Sequence, residues 1–277
     1  MRKFAYYNGK IVDTTKRGLP LDDIGIIRGF AVFDYSRTYN GRPFMINDYF
    51  KRFCHSAKSI GLTVPIDKTE LESVYATLLK KNKMKECAFR AVLTGGTSSN
   101  HIRNEGKANF YIIVEDLPKV NPDFYLKGAK LITADFQRPI AIAKTSQYMR
   151  AVLLWDEVVK KGAVEVLYHH NNCVLECATS NVFIVKDGKV FTPKDNMLHG
   201  ITRKVILGIA KKNKISAEEK NFSLNDLVDA DEVFITSSGK VRVMPIIQVD
   251  SRKIADGKAG PVTKFLMQKF DELTAAN

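Results

Sequence analysis

Two Asn-Gly pairs near the N-terminus, Asn8-Gly9 and Asn40-Gly41, restrict the fold of this chain more than any other local feature. Each separates short runs rich in β-branched and aromatic residues: residues 4–12 surround the first, and residues 31–39 and 43–46 flank the second. A two-residue connection needs positive φ at both positions, which Asn and Gly tolerate, and its twist suits antiparallel strands. The spacing therefore predicts two hairpins. Asn47 or Asp48 then caps a predicted amphipathic helix reaching about Ile60, and a second helix runs from near Thr69 to about Lys81. Residues 87–94 and 109–115 read as strands, with the Gly95-Gly96 loop in the connection between them. An antiparallel sheet with its helices gathered on one side makes an α+β layer.

A length of 277 residues favours two domains. The break falls where Pro118 and Pro122 interrupt all periodicity. The reading is an α+β domain over residues 1–117, a linker over 118–127, and a second α+β domain over 128–277. In the second domain, 129–136 reads as a strand, 149–161 as a helix, and a series of strands follows from 164 to 192. Residues 200–213 form a predicted helix, 231–236 and 241–249 strands, and 261–274 a closing helix. Two mixed domains place a site where they meet.

Composition excludes several classes. With 45% hydrophobic and 26% charged residues the chain can bury a core. Its apolar stretches are too short to span a bilayer, and no signal-peptide core follows Met1-Arg2-Lys3, which points to a cytosolic protein without a membrane partner. The four cysteines lack the density of a disulfide framework and the spacing of a metal site, and His169-His170 point to opposite faces of a strand, so no metal is expected. The net charge of +13 admits a nucleic-acid partner, but the lysines are spread along the chain and no nucleic-acid module accompanies them. A solvated basic surface is the reading adopted, and salt-sensitive nucleic-acid binding is the alternative it displaces.

The chemistry lies in a series of small motifs. Lys144, in Ala143-Lys144-Thr145-Ser146-Gln147-Tyr148, falls between a strand and a helix, where an amine can lose solvation and act as a nucleophile. Glu176, in Leu175-Glu176-Cys177-Ala178-Thr179-Ser180-Asn181-Val182-Phe183, lies on an apolar strand, where a carboxylate requires a partner. That partner is either an ordinary cation or a protonated pyridine nitrogen. Leu198-His199-Gly200-Ile201-Thr202-Arg203 puts backbone N–H groups and a hydroxyl at a helix start, suited to a phosphate or to a plain cap. Ala230-Asp231-Glu232-Val233-Phe234 leads into Thr236-Ser237-Ser238-Gly239, either a second phosphate cradle or a turn.

In this order the motifs resemble the class IV aminotransferases, pyridoxal-phosphate enzymes of fold type IV that include branched-chain and D-amino-acid aminotransferases and aminodeoxychorismate lyase. The resemblance covers nearly the whole chain. It implies pyridoxal 5'-phosphate at the domain interface, with Lys144 as the Schiff-base lysine and Glu176 at the pyridine nitrogen. It gives Arg52, Ile201 and Thr202, with Ser238 or Gly239, to the phosphate, Tyr148 to the phenolic oxygen, and Asn181 to the same cofactor set. Freed Lys144 then shuttles the proton between the substrate and the cofactor, acting as a base because burial and the cationic ring lower its affinity for the proton.

A transaminase must also hold a carboxylate. Arg28 and Arg90 are the candidates, each with a structural salt bridge as the competing role, and Phe33 and Arg37 lie on the strand beside them. The loop 94–103 is similar to the carboxylate trap of D-amino-acid aminotransferases but has Ser99 in the arginine's place and keeps only His101. Arg28 likewise departs from the branched-chain pattern, which has a tyrosine there. The expected reaction exchanges the amino group of a branched-chain or D-amino acid with the glutamate/2-oxoglutarate pair. An aminodeoxychorismate-type lyase is the alternative, and the resemblance implies a homodimer.

Overall fold

The computed structural model describes residues 2–239 and 242–277. It divides into two compact units: the chain up to Pro118 with Ala143–Gln147 and Asn277, and Lys119–Ile142 with Tyr148–Ala276. Both mix helices with sheet, as expected. The segment carrying Lys144, expected within 128–277, groups instead with the first unit.

The first unit contains β1 (Phe4–Tyr7), β2 (Lys10–Asp13), α1 (Ile24–Ile27), β3 (Ala31–Tyr39), β4 (Arg42–Pro43), α2 (Ile46–Ser59), α3 (Lys68–Asn82), β5 (Ala88–Thr94) and β6 (Asn109–Glu115). Its sheet is antiparallel in the order β2-β1-β6-β5-β3-β4. Both Asn-Gly hairpins form, with φ of 42° and 86° at Asn8-Gly9 and 51° and 75° at Asn40-Gly41, the mirror-image turn their sequence demands. The second hairpin is shorter than predicted. Met45 enters the left-handed region at φ 49° and ends the extended run, so the helix starts at Ile46 without a side-chain cap. Asn47 and Asp48 therefore lie inside the first turn, where Asp48 complements the helix dipole. Asp67 caps α3 by accepting from Glu70 N at 2.8 Å. The two helices cover one face of the sheet, and Tyr75 stacks on Phe89 with centroids 3.8 Å apart. Phe89 and Phe110 are inaccessible to solvent, each contributing roughly 1.5–3 kcal/mol of transfer free energy.

In the second unit the expected linker carries structure. α4 (Asp123–Leu126) forms within it, and Val120, Phe124 and Tyr125 pack on this unit's core. Then follow β7 (Ala129–Asp135), α5 (Met149–Lys160), β8 (Glu165–His170), β9 (Cys173–Cys177), β10 (Asn181–Lys186), β11 (Lys189–Thr192), α6 (Ile201–Lys212), β12 (Ala217–Glu219), α7 (Leu224–Val228), β13 (Glu232–Ser237), β14 (Arg242–Val249), β15 (Arg252–Lys253) and α8 (Pro261–Ala275). The sheet order is β12-β11-β10-β13-β14-β7-β8-β9, with β15 on β14. β14, β7 and β8 run parallel to their neighbours in that triplet, as do β11 and β12, and the other pairs are antiparallel. Val241, predicted to open β14, lies outside the described residues. Among the described residues no helix is long and apolar enough to cross a membrane.

Candidate active site

In the first unit, Lys144 is fixed by its backbone. Its carbonyl accepts from Phe33 N at 2.9 Å, and Ser146 N donates to Ala31 O at 3.0 Å, with Thr145 bridged to Val32. The segment thus lies as a short antiparallel partner along β3. Lys144 N donates to Ser56 Oγ at 3.0 Å, which ties the segment to α2 as well. Its Nζ stands 4.6 Å from the centroid of the Phe33 ring.

Arg52 lies one turn before Ser56, on the same side of α2. Its Nε and Nη2 donate to Asp34 at 2.9 and 2.6 Å, in a fork with side chains only 9% and 6% exposed. The position expected to meet a phosphate is therefore already anchored by a buried carboxylate from β3. Asp34 was not expected; its signal was a carboxylate on the core side of an alternating strand, where a charge requires a partner.

The candidate carboxylate clamps divide. Arg90, read from the sequence as a charge in an apolar run, is met by Glu115, which accepts from Nε at 2.6 Å and from Nη2 at 3.0 Å. Its guanidinium also stands 5.3 Å from the Phe33 centroid, and so shares that ring with Lys144. Arg28 is exposed and donates to the carbonyls of His101 and Ile27, both at 3.1 Å. Arg37 covers the Tyr39 ring at 4.3 Å and donates to Thr38 O. In the loop resembling the carboxylate trap, Ser99 is held by Glu105 through its N–H and hydroxyl, and His101 is exposed with φ 59°.

The second unit assembles the other motifs. Glu176 is buried on β9 and has a partner the sequence reading missed: Arg138 donates from Nε at 2.8 Å and from Nη2 at 2.5 Å. The other carboxylate oxygen accepts from Leu198 N at 3.1 Å. Asn181 Nδ2 donates to Leu198 O at 2.8 Å, so both backbone groups of Leu198 are held. This turn delivers Gly200, where a Cβ would overlap Asn181 Oδ1, and α6 starts at Ile201 without a side-chain cap. Ile201 and Thr202 are buried there, with first-turn N–H groups that suit an anion. Ser238 and Gly239 form the half-buried turn after β13. Just before them the buried Thr236 Oγ1 finds no hydrogen-bond partner among the described residues, so a polar group is available beside the second cradle. Tyr148 is half-buried and precedes α5.

The first unit thus carries a backbone-anchored lysine, and the second a buried glutamate with two candidate anion cradles, the kinds of group that a cofactor-dependent group-transfer enzyme uses. The family model described as amino-transferase class IV matches residues 31–249. The chain is 32% identical to the D-alanine aminotransferase of Listeria monocytogenes, over 97% of this chain and 96% of that protein. It is 31% identical to the putative branched-chain-amino-acid aminotransferase of Methanocaldococcus jannaschii, over 97% and 95%. Among solved structures, the Escherichia coli branched-chain amino acid aminotransferase superposes with a TM-score of 0.92 at 25% identity, covering all of this chain and 96% of that one. The T.th. branched-chain amino acid aminotransferase with pyridoxamine 5'-phosphate gives 0.91 at 27%, covering all of this chain and 95% of the other. The chain belongs to the class IV aminotransferases, and it is a transaminase with their fold.

Proposed function

We propose that this enzyme exchanges the amino group of a branched-chain or D-amino acid with 2-oxoglutarate on pyridoxal 5'-phosphate. The observation that carries the reading is Lys144, whose carbonyl accepts from Phe33 N on β3 and whose N–H donates to Ser56 Oγ on α2, in a chain of this family. When bound, the cofactor supplies an electron sink and carries the amino group. Lys144 would hold it and would supply the amine that moves the proton at the substrate's α carbon. Glu176 would meet the ring nitrogen and favour its protonated form, with Arg138 and Leu198 N holding that carboxylate in place. Arg52 in the first unit and Ile201 and Thr202, with Ser238 or Gly239, in the second would each offer the phosphate donors; Tyr148 would serve the phenolic oxygen, and Asn181 shapes the turn ahead of Ile201. Arg28, Phe33, Arg37 and Arg90 face the amino-acid and 2-oxo-acid substrates. We further propose a homodimer, supported by an exposed apolar side of α5 where Val152 and Leu153 are each 70% accessible; sedimentation of an active monomer would contradict it.

The test is spectroscopic and catalytic. Protein loaded with pyridoxal phosphate should absorb in the visible region and transfer amino groups from one enantiomeric series to 2-oxoglutarate. Lys144→Ala should lose the band and at least about a thousandfold in rate, the scale of a positioned acid–base group. A colourless protein after loading, or transfer undiminished in the variant, would sink the reading.

A further inference from the structure

One face of the first unit's sheet is covered by the core helices. The other carries Phe33, Tyr35, Arg90, Tyr111 and Glu115, the half-buried positions of β3, β5 and β6. Lys144 Nζ and the Arg90 guanidinium stand 4.6 and 5.3 Å from the centroid of one ring, Phe33, so they are no farther apart than those two distances together. Arg90 thus borders the same ring as Lys144 and is a cation available to a substrate's carboxylate on that face. That arginine does not meet it as a bare cation. Register sets Arg90 opposite Ile113 and Ala88 opposite Glu115, so Glu115 is the diagonal cross-strand neighbour of Arg90. Its carboxylate takes Nε and Nη2 side-on, the same bidentate geometry a substrate carboxylate would use.

We infer that Glu115 is a specificity-determining residue, competing with the substrate's carboxylate for Arg90 and setting the preference between dianionic and monoanionic 2-oxo acids. The inference rests on the amino-transfer reading above. The physical argument is charge bookkeeping at one place. Arg90 attracts each negative charge on the substrate and Glu115 repels it, so the paired residues nearly cancel at a distance. Without the charge of Glu115 the attraction of Arg90 would stand uncancelled, and a dianion such as 2-oxoglutarate, with two charges in that field, would gain more than pyruvate. Both side chains are partly open to solvent, at 34% and 25%, so water screens the effect to a modest size.

Glu115→Gln keeps the shape and an acceptor for Arg90 while removing the charge. In the loaded enzyme it should lower the KM for 2-oxoglutarate about three- to fivefold, the scale of a screened ion pair. The KM for pyruvate and kcat should each move less than about twofold on the same scale. Calorimetric titration with unreactive glutarate and butyrate should show the same selective tightening for glutarate, and Glu115→Asp should retain the wild-type preference. Equal shifts for both acids, or an unchanged ratio, would overturn the inference. So would a rise in both KM values with a lower Tm that Glu115→Asp fails to rescue, because that is the signature of a merely structural pair. Wild-type protein that transfers no amino group to either acid would instead overturn the amino-transfer reading; the glutarate titration would still report on Glu115.

Discussion

Replacing Arg138 by Met tests the physical account of the second unit. The Arg138–Glu176 pair is buried, with side chains 10% and 7% exposed, and the guanidinium supplies two donors to one carboxylate oxygen. Met fills much of the arginine's volume but withdraws the compensating charge. Removing one member of a buried pair costs about 3–5 kcal/mol, because desolvation of the remaining ion is no longer offset. Leu198 N still donates to the other oxygen, so the lower end, about 3 kcal/mol, is expected. For a unit of this size that lowers Tm by about 6–12 °C. Trp155, the single tryptophan, sits in α5 of the same unit and reports its urea unfolding directly. Adding Glu176→Gln to the variant should recover most of the loss, since a neutral pair leaves no buried ion, with a coupling of at least about 2 kcal/mol. A single variant within about 0.5 kcal/mol of wild type, or losses that simply add in the double variant, would refute the reasoning.

Two further outcomes follow from geometry and burial. Gly200→Ala should destabilise the protein by about 1–3 kcal/mol in urea titrations, because its Cβ overlaps Asn181 Oδ1 and forces the turn before α6 to shift. Burial is the largest cause pushing both the Tyr35 and Tyr168 hydroxyls up to about 12. The folded chain therefore keeps protons that the unfolded chain releases near the ordinary value of about 10. Stability should hold below pH 10 and fall as the pH rises from there through 12, as read by circular dichroism; a Tyr35→Phe, Tyr168→Phe variant whose stability falls just as steeply over that range would contradict it.

The sequence made local geometry legible and left long-range pairing hidden. Asn8-Gly9 and Asn40-Gly41 announced their hairpins because positive φ is a property of the two residues themselves. The motif containing Gly200 announced a helix start as well, with Gly200 itself extended at φ −65° and ψ 140°. Lys144 was legible only through the ordered set around it. Its attachment to β3 was not, since hydrogen bonds to Phe33 and Ala31 depend on which edge the chain returns to. The partners of the charged candidates were equally hidden. Arg138 for Glu176, Glu115 for Arg90 and Asp34 for Arg52 are all tertiary contacts, which periodicity does not encode. Residues 118–127 read as a linker because Phe124 and Tyr125 look irregular in sequence, and their packing on a core formed by distant strands is a tertiary contact.

The attachment of the lysine segment to β3 has an evolutionary corollary. A nucleophile presented by main-chain pairing depends on counting rather than on the identity of its neighbours. The register with Ala31 and Phe33 is held by main-chain groups of Lys144 and Ser146, and the Ser146 hydroxyl adds a bond to Gly29 O. A single residue gained or lost between Ile142 and Tyr148 would instead turn Lys144 to the opposite side, because side chains alternate along an extended chain. Such an indel would take the nucleophile from its side of the sheet while the pairing of β3, β5 and β6 stayed intact.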